Sequence, residues 1–150
     1  MRAVIQRAAR ASVTIEGRIA GAIDRGLMVL VAVAEGDTAA DGEWLAAKLA
    51  ALRIFPDEEG RMNRSVVDIG GGILVVSQFT LFASTRKGTR PSFNGAAAPA
   101  VAIPLYEQFL IQVEAALGKP VARGEFGASM QVELVNDGPV TLIIDTRERA

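Results

Sequence analysis

Two uninterrupted apolar runs stand out from the alternating hydrophobic and polar pattern of the rest of the chain. Residues 26–35 read GLMVLVAVAE, and residues 73–76 read ILVV. Apolar runs of this length are typical of strands that are covered on both faces of a sheet. We therefore predict that both runs form central strands.

The second run continues into a more polar sequence, SQFTLF, which we predict to extend the same strand to Phe82. A period of two places Ser77, Phe79 and Leu81 on one face of this strand and Gln78, Thr80 and Phe82 on the other. A buried hydroxyl or amide without a partner costs roughly 1 to 3 kcal/mol. These polar groups therefore either hydrogen-bond within the fold, at a strand end or inside a barrel, or form the floor of a binding site.

Weaker patterns predict the other elements. Alternation indicates strands over residues 1–8, 11–20, 131–135 and 140–146. Apolar residues three or four apart indicate two helices, one between Asp37–Thr38 and Phe55–Pro56 and one from Pro99 to Leu117. Gly70–Gly72 and Asn136–Pro139 have turn composition, and we expect a hairpin connection at each.

These elements predict a single α+β domain over residues 1–150. The domain is rich in β-structure, with a closed or strongly curled, barrel-like sheet and two main helices packed outside it. Half of the 150 residues are hydrophobic, which is enough for a sizeable core. No apolar run reaches the roughly 18 to 20 residues of a membrane span, and the N-terminus lacks the features of a signal peptide. We expect a cytoplasmic protein that does not contact a membrane.

The chain contains neither cysteine nor histidine. This absence excludes disulfides, thiol nucleophiles, histidine-based triads and nearly every zinc site. Any catalysis must use hydroxyls, carboxylates, backbone amides, the three lysines or groups of the substrate itself. The acidic turn DEEGRMN and the Gly70–Gly72 triplet lack the spacing of calcium and phosphate loops, so we expect no metal and no cofactor.

Positive charge is densest in residues 83–94, ASTRKGTRPSFN, which include Arg86, Lys87 and Arg90. The net charge of −1 gives no overall attraction to nucleic acid, so any phosphate contact must be local. From the residues alone, three functions stay open: a hydrolase acting on a polar ligand, a non-catalytic RNA-binding module, and a structural or assembly protein. The lack of histidine argues against most hydrolase mechanisms and favours the binding module.

Over its full length the chain resembles the D-aminoacyl-tRNA deacylase family, whose members hydrolyse the ester between a D-amino acid and tRNA. The resemblance rests on Ser77-Gln78-Phe79-Thr80 and on Gly138-Pro139. It also includes, in the expected order, RIF (53–55), TRKG (85–88), RPSF (90–93) and FGA (126–128). The chain departs from the family at Phe82, where members more often carry tyrosine, so one hydroxyl hydrogen bond is expected to be missing.

The resemblance implies a homodimer that binds the aminoacylated 3′ end of tRNA at the subunit interface. Residues Ser77 to Thr80 of one subunit would form the catalytic floor. Gly138 and Pro139 of the other subunit, joined by a cis peptide bond, would reject L-amino acids. Arg7 resembles the residue that supports this pair, and Met130 is expected near the pocket.

The resemblance also limits the mechanism, because a threonine nucleophile needs a base and none lies in the motif. Backbone N–H groups of Gln78 to Thr80 would instead stabilise the oxyanion, while the ribose 2′-hydroxyl helps to activate water. Arg86, Lys87 and Arg90 are candidates for tRNA phosphate contacts. The alternatives are an RNA-binding module of the same fold without turnover and an enzyme centred on glycine mischarged onto tRNA(Ala).

Overall fold

The computed structural model describes residues 1–149 of the chain. Its elements follow in the order β1 (Arg2–Ile15), β2 (Arg18–Ile23), β3 (Gly26–Ala32), α1 (Ala39–Ala51), β4 (Phe55–Pro56), β5 (Met62–Arg64), β6 (Gly72–Ser77), a 3₁₀ helix (Phe79–Phe82), α2 (Pro99–Leu117), β7 (Ala122–Arg123) and β8 (Gln131–Asp145). The mixed sheet and its two helices confirm the predicted α+β class.

Strand order in the main sheet is β2-β1-β3-β6-β7, and β8 pairs with β1. The ends of this path, β2 and β7, approach each other closely, because a Cβ added to Gly21 would lie 2.9 Å from the backbone nitrogen and oxygen of Arg123. β3 and β6 are parallel, as are β6 and β7. The sheet therefore curls into a nearly closed barrel, as the sequence predicts.

The first strand is longer than the pattern predicts. Instead of two strands over residues 1–8 and 11–20, β1 runs unbroken from Arg2 to Ile15. Its buried positions shift phase around Ala8, where the register with β8 also shifts, so the alternation is interrupted while the strand continues. The chain then reverses at Glu16 and Gly17, which both have positive φ.

The two helices pack against the sheet and enclose the main core. This core includes Leu27 and Val75 from the sheet, Leu45 from α1 and Phe109 from α2, all fully buried. α2 has the predicted bounds, and its last turn is closed by Gly118 with a φ of 84°. α1 ends at Ala51, before the predicted limit at Phe55–Pro56, because the backbone already leaves the helix at Leu52.

By length and composition alone, α2 could cross a membrane, so the prediction that no such segment exists is too strict. The fold gives α2 a different role. Tyr106, Phe109, Leu110 and Val113 are buried against the rest of the domain, which makes α2 a core helix. Length and hydropathy do not distinguish a core helix from a membrane-spanning helix.

Two further predictions are corrected by the course of the chain around β6. The strand ends at Ser77 and does not continue to Phe82, because Gln78 N–H makes the last bond to β3, at 2.7 Å from Val31 O, and a 3₁₀ helix follows. The period of two therefore does not apply beyond Ser77. Gly70–Gly72 does not form a hairpin, since it completes a crossover between the parallel strands β3 and β6.

Candidate active site

The SQFT sequence forms a tight turn at the end of β6. Leu81 N–H donates to Gln78 O at 3.1 Å, and Ala83 N–H donates to Thr80 O at 3.0 Å. Gln78 Nε2 donates to the hydroxyl of Thr80, which links the two polar side chains of the turn. Phe79 points outward and is 53% exposed. The turn therefore presents a mixed polar and aromatic surface at the edge of the barrel.

A cavity of about 540 Å³ lies over this turn. Its walls include Ser77, Gln78, Phe79, Phe93, Phe126 and Met130. Phe79 and Phe93 meet edge to face, with ring centroids 5.3 Å apart. The structure therefore brings the predicted Met130 and three members of the SQFT sequence to one cavity, and adds the aromatic rings of two motifs that follow it in the chain.

One wall of the cavity is supported by a buried tyrosine of α2. The Tyr106 ring lies 5.8 Å from that of Phe126, and its hydroxyl donates to Val75 O at 3.4 Å. Burial, and then the nearby Glu107 carboxylate, raise the pKa of Tyr106 to about 12. Tyr106 therefore remains neutral at physiological pH and acts as a structural donor under the wall.

Gly138 and Pro139 do not lie in the predicted hairpin turn. β8 continues from Gln131 to Asp145 as a single strand, and both of its halves pair with β1. Gln6 is paired with Thr141 and Ala8 with Asn136, so a single β1 residue faces four residues of β8. Residues 137–140, DGPV, thus form a large bulge, hereafter the GP loop, and the Gly138–Pro139 peptide bond is cis.

Arg7 is the β1 residue opposite the GP loop, and its guanidinium holds the loop in place. Its Nε donates to Asp137 O at 2.9 Å and lies 3.2 Å from the Asp137 carboxylate. Its Nη1 donates to Ile54 O at 2.7 Å, on the other side. The side chain is only 12% exposed, so the planar fork is fixed between two main-chain carbonyls.

Asn136 is a second support of the GP loop, and the sequence reasoning missed it. Its amide nitrogen donates to Arg7 O at 3.0 Å and to Val140 O at 3.2 Å, which closes the neck of the loop. A Cβ added to Gly138 would lie 2.5 Å from the Asn136 side-chain oxygen. The sequence does contain a signal for this role, because an asparagine beside turn residues commonly donates a hydrogen bond to the local backbone.

The structure does not bring the two motifs together within one chain. Among the described residues, those of the GP loop are absent from the walls of the cavity over the SQFT turn. Gly138 and Pro139 are exposed instead, on a strand that pairs only with β1 in the part of the chain described. Each motif is therefore locally ordered, but the two face different surroundings.

The basic residues Arg86, Lys87 and Arg90 are exposed on the loop that follows the turn. The base of this loop is closed by reciprocal backbone hydrogen bonds between Ser84 and Ser92, at 2.7 and 2.8 Å. Phe93, directly after this closure, reaches the cavity. The loop therefore places positive charge next to the cavity without placing it inside.

A match to a known family covers most of this architecture. The family model described as D-Tyr-tRNA(Tyr) deacylase matches residues 4–145, which include nearly all of β1, the SQFT turn, the GP loop and all of β8. The chain belongs to the D-Tyr-tRNA(Tyr) deacylase family. It is accordingly an enzyme that hydrolyses D-aminoacyl-tRNA.

Curated relatives of the deacylase family match the chain from end to end. A D-aminoacyl-tRNA deacylase of Opitutus terrae is 68% identical over 149 residues, which are 99% of each chain. One from Bacteroides fragilis is 56% identical over the same length and coverage. These identities confirm the family that the SQFT and Gly-Pro motifs indicate.

Solved structures agree with the fold. A structure titled c-Myc DNA Unwinding Element Binding Protein superimposes with a TM-score of 0.89 at 41% identity, over 97% of this chain and 98% of the other. A probable eukaryotic D-amino acid tRNA deacylase superimposes with a TM-score of 0.81 at 21% identity, over 95% and 97% of the two chains. At 21% identity this second likeness concerns the fold alone.

Proposed function

We propose that hydrolysis takes place in the cavity over the SQFT turn, with the terminal adenosine of tRNA held between its aromatic walls. The observation that carries this proposal is the cavity itself, because polar groups of the turn and three phenylalanine rings converge there. Unpaired bases are commonly bound by stacking on aromatic side chains, with a preference for no particular base. The polar edge beside the rings then receives the ribose and the ester.

The turn supplies donors for the negative charge that develops on the ester oxygen. The N–H of Gln78 is already bonded to Val31 O, so it is not available to the substrate. The N–H groups of Phe79 and Thr80 open the 3₁₀ helix, and the first donors of a helix have no acceptor within it. We assign the oxyanion site to these two groups, a narrower assignment than the sequence allowed.

The side chain of Thr80 is unsuited to act as a nucleophile. Its hydroxyl oxygen accepts a hydrogen bond from the Gln78 amide, which is a donor and cannot remove a proton. The chain has no histidine, and the walls of the cavity carry no lysine or carboxylate in the described structure. The base is therefore supplied by the substrate, whose 2′-hydroxyl lies next to the ester.

We also propose that the active site is completed by a second copy of the chain. The GP loop is held by Arg7 and Asn136 but does not line the cavity of its own chain, and among the described residues β8 has no strand partner other than β1, with Ile143 72% exposed and Val135 39% exposed. An exposed edge strand presents unpaired backbone groups with which another chain can pair. In a two-fold dimer, the loop of each subunit then reaches the cavity of the other.

The GP loop would select the D configuration. Its exposed backbone crowds one face of the α-carbon, so an L side chain collides with it, while a D side chain points away. Such a filter depends on configuration and not on side-chain identity, so many D-amino acids are accepted. Glycine has no side chain to collide, so glycyl-tRNA mischarged on tRNA(Ala) is a second substrate.

The exposed cations of residues 86–90 would contact tRNA phosphates beside the cavity. We therefore propose a proofreading enzyme that acts on aminoacylated tRNA, and we expect it to work in the cytoplasm without a cofactor.

The experiment that tests this proposal compares hydrolysis of D-tyrosyl-tRNA and L-tyrosyl-tRNA by metal-free enzyme, with the oligomeric state measured in the same buffer. We expect a dimer that releases only the D-amino acid. Ile143→Glu should yield monomers with much lower activity, whereas Ile111→Glu, at an equally exposed position of α2, should leave both properties unchanged. A fully active and selective monomer would disprove the shared site.

A further inference from the structure

A cluster of charged residues holds Phe82, the last residue of the 3₁₀ helix that contains Phe79 and Thr80 of the SQFT turn. The Phe82 ring is buried, and the guanidinium carbons of Arg2 and Arg147 lie 4.7 and 5.2 Å from its centroid. Both distances are within the range of cation–π attraction. Phe82 is thus in contact with two cations from opposite ends of the sequence.

Asp145 connects these two cations. Its carboxylate lies 3.0 Å from Arg2 Nη2 and 3.3 Å from Arg147 Nε, and its side chain is 5% exposed. Burial by itself would raise the pKa of Asp145, but hydrogen bonds from Arg147 and Arg2 outweigh it and lower the pKa below its ordinary value. The carboxylate therefore remains charged and fixes both guanidiniums against the ring.

Arg2 also binds the main chain of the turn. Its Nη1 donates to Leu81 O at 2.9 Å, so one guanidinium contacts the turn through a side-chain ring and through a carbonyl. A planar fork of donors makes such simultaneous contacts possible, whereas a lysine ammonium is a single point charge. This contact fixes the end of the 3₁₀ helix relative to β1.

Apolar packing alone holds the turn weakly. Phe82 belongs to a small cluster with Ala32 and Ala34, separate from the main core. Small alanine side chains and the partly buried Leu81 make up the rest of this cluster, and the guanidiniums of Arg2 and Arg147 add contacts to the ring. The orientation of the turn therefore depends on charged residues that lie outside the cavity.

We propose that Arg2, Arg147 and Asp145 are positioning residues, which set the SQFT turn beneath the cavity by holding Phe82 and Leu81 O. This inference rests on the proposed function, in which the turn forms the catalytic floor. None of the three residues lines the cavity over the SQFT turn in the described structure. They determine where the backbone donors of Phe79 and Thr80 lie when the transition state forms.

The test measures kcat and KM for D-tyrosyl-tRNA with Arg2→Ala and Arg147→Ala. A displaced donor weakens contacts made in the transition state, whereas the binding of the tRNA body is unaffected. Complete loss of one oxyanion donor lowers kcat by 10² to 10³, so a partial displacement should lower it about tenfold with little change in KM. Arg2→Lys, which keeps the charge but not the fork, should recover part of the rate.

Arg149→Ala is the matched control. Arg149 makes the same two kinds of contact elsewhere, since its guanidinium lies 4.8 Å from the Trp44 ring and 2.7 Å from the Asp41 carboxylate. Its removal should leave kcat and KM unchanged. Circular dichroism and thermal unfolding confirm that each variant is folded before its rate is compared.

Each outcome separates the inference from the proposal on which it rests. Unchanged kcat in both alanine variants, with Phe79→Ala impaired, overturns the positioning role and leaves the proposed site intact. A raised KM at constant kcat also overturns it, because the two arginines would then be contacts for tRNA. If Phe79→Ala is fully active as well, the proposed site itself is wrong.

Discussion

Replacement of Arg7 by alanine tests the support of the GP loop most directly. The change removes two charge-assisted hydrogen bonds, to Asp137 O at 2.9 Å and to Ile54 O at 2.7 Å. At the lower end of the range for charged donors, each contributes about 1.5 kcal/mol, because the site is partly open to solvent. The ion pair with the Asp137 carboxylate adds little, since that side chain is 42% exposed.

The expected loss is therefore about 3 kcal/mol in the free energy of unfolding. For a domain of this size, the corresponding decrease in the unfolding temperature is about 6 to 12 °C. Urea titration gives the free energy, and the ratio of D-tyrosyl-tRNA to L-tyrosyl-tRNA hydrolysis gives the selectivity. We expect both to fall, since a loop freed from Arg7 no longer presents a fixed backbone to the substrate.

Gln6→Ala is the control for this experiment. Gln6 bridges the same two strands through an exposed hydrogen bond to Thr141, at 3.1 Å, but has no bond to the GP loop. It should cost less than about 1 kcal/mol and leave selectivity intact. If Arg7→Ala changes stability by no more than Gln6→Ala, the reasoning from the guanidinium fork is refuted. If stability falls while selectivity persists, Arg7 supports the fold and not the filter.

The other predictions concern separate parts of the site. Thr80→Ala should retain activity within about tenfold, since a side chain that serves only as a hydrogen-bond acceptor is not essential to the chemistry. Gly138→Ala should raise the relative rate on the L substrate, because its new methyl group would displace the Asn136 side chain at the neck of the GP loop. Alanine at all three cations of residues 86–90 should reduce the slope of log binding constant against log salt by about 2. Asp145→Asn should make the free energy of unfolding less dependent on pH in the acidic range.

The pH prediction follows from the direction of the shift. The pKa of Asp145 is lower in the folded chain than in the unfolded chain, so its stabilising effect is present above the unfolded value of about 3.9 and is lost as the pH falls through the folded value. Urea titrations at pH 7 and at pH 3 should thus show a smaller difference for Asp145→Asn than for the unaltered chain. Equal differences would contradict the charged state of the buried carboxylate.

Each of the remaining three predictions has a result that would contradict it. A thousandfold loss in Thr80→Ala would restore the nucleophile hypothesis, because general-base assistance alone contributes about 10² to 10⁴. If Gly138→Ala slows both substrates equally without unfolding, the loop does not act as a filter. An unchanged salt slope in the triple variant would place the phosphate contacts elsewhere on the surface.

Local patterns in the sequence determined those elements whose boundaries depend on neighbouring residues. The helix α2 was predicted to the residue, because apolar positions three or four apart define its buried face and Gly118 ends it in the left-handed conformation. The buried run at Ile73 to Val76 was also identified as strand, since an uninterrupted apolar run of this length is typical of a strand covered on both faces. The SQFT and Gly-Pro motifs identified the family before any fold was known.

Only the tertiary structure decided features that depend on which strands become neighbours. β1 and β8 pair over almost their full lengths, and this pairing makes the GP loop (residues 137–140) a bulge held by Arg7 instead of part of a hairpin turn. Likewise, β6 ends at Ser77, close to the end of its partner β3. The alternation in SQFTLF could not indicate this end point. Composition and spacing describe what a segment can form, whereas register and partners are set by the packing of the whole chain. That packing also brings Arg2, Phe82 and Asp145 together from distant parts of the sequence.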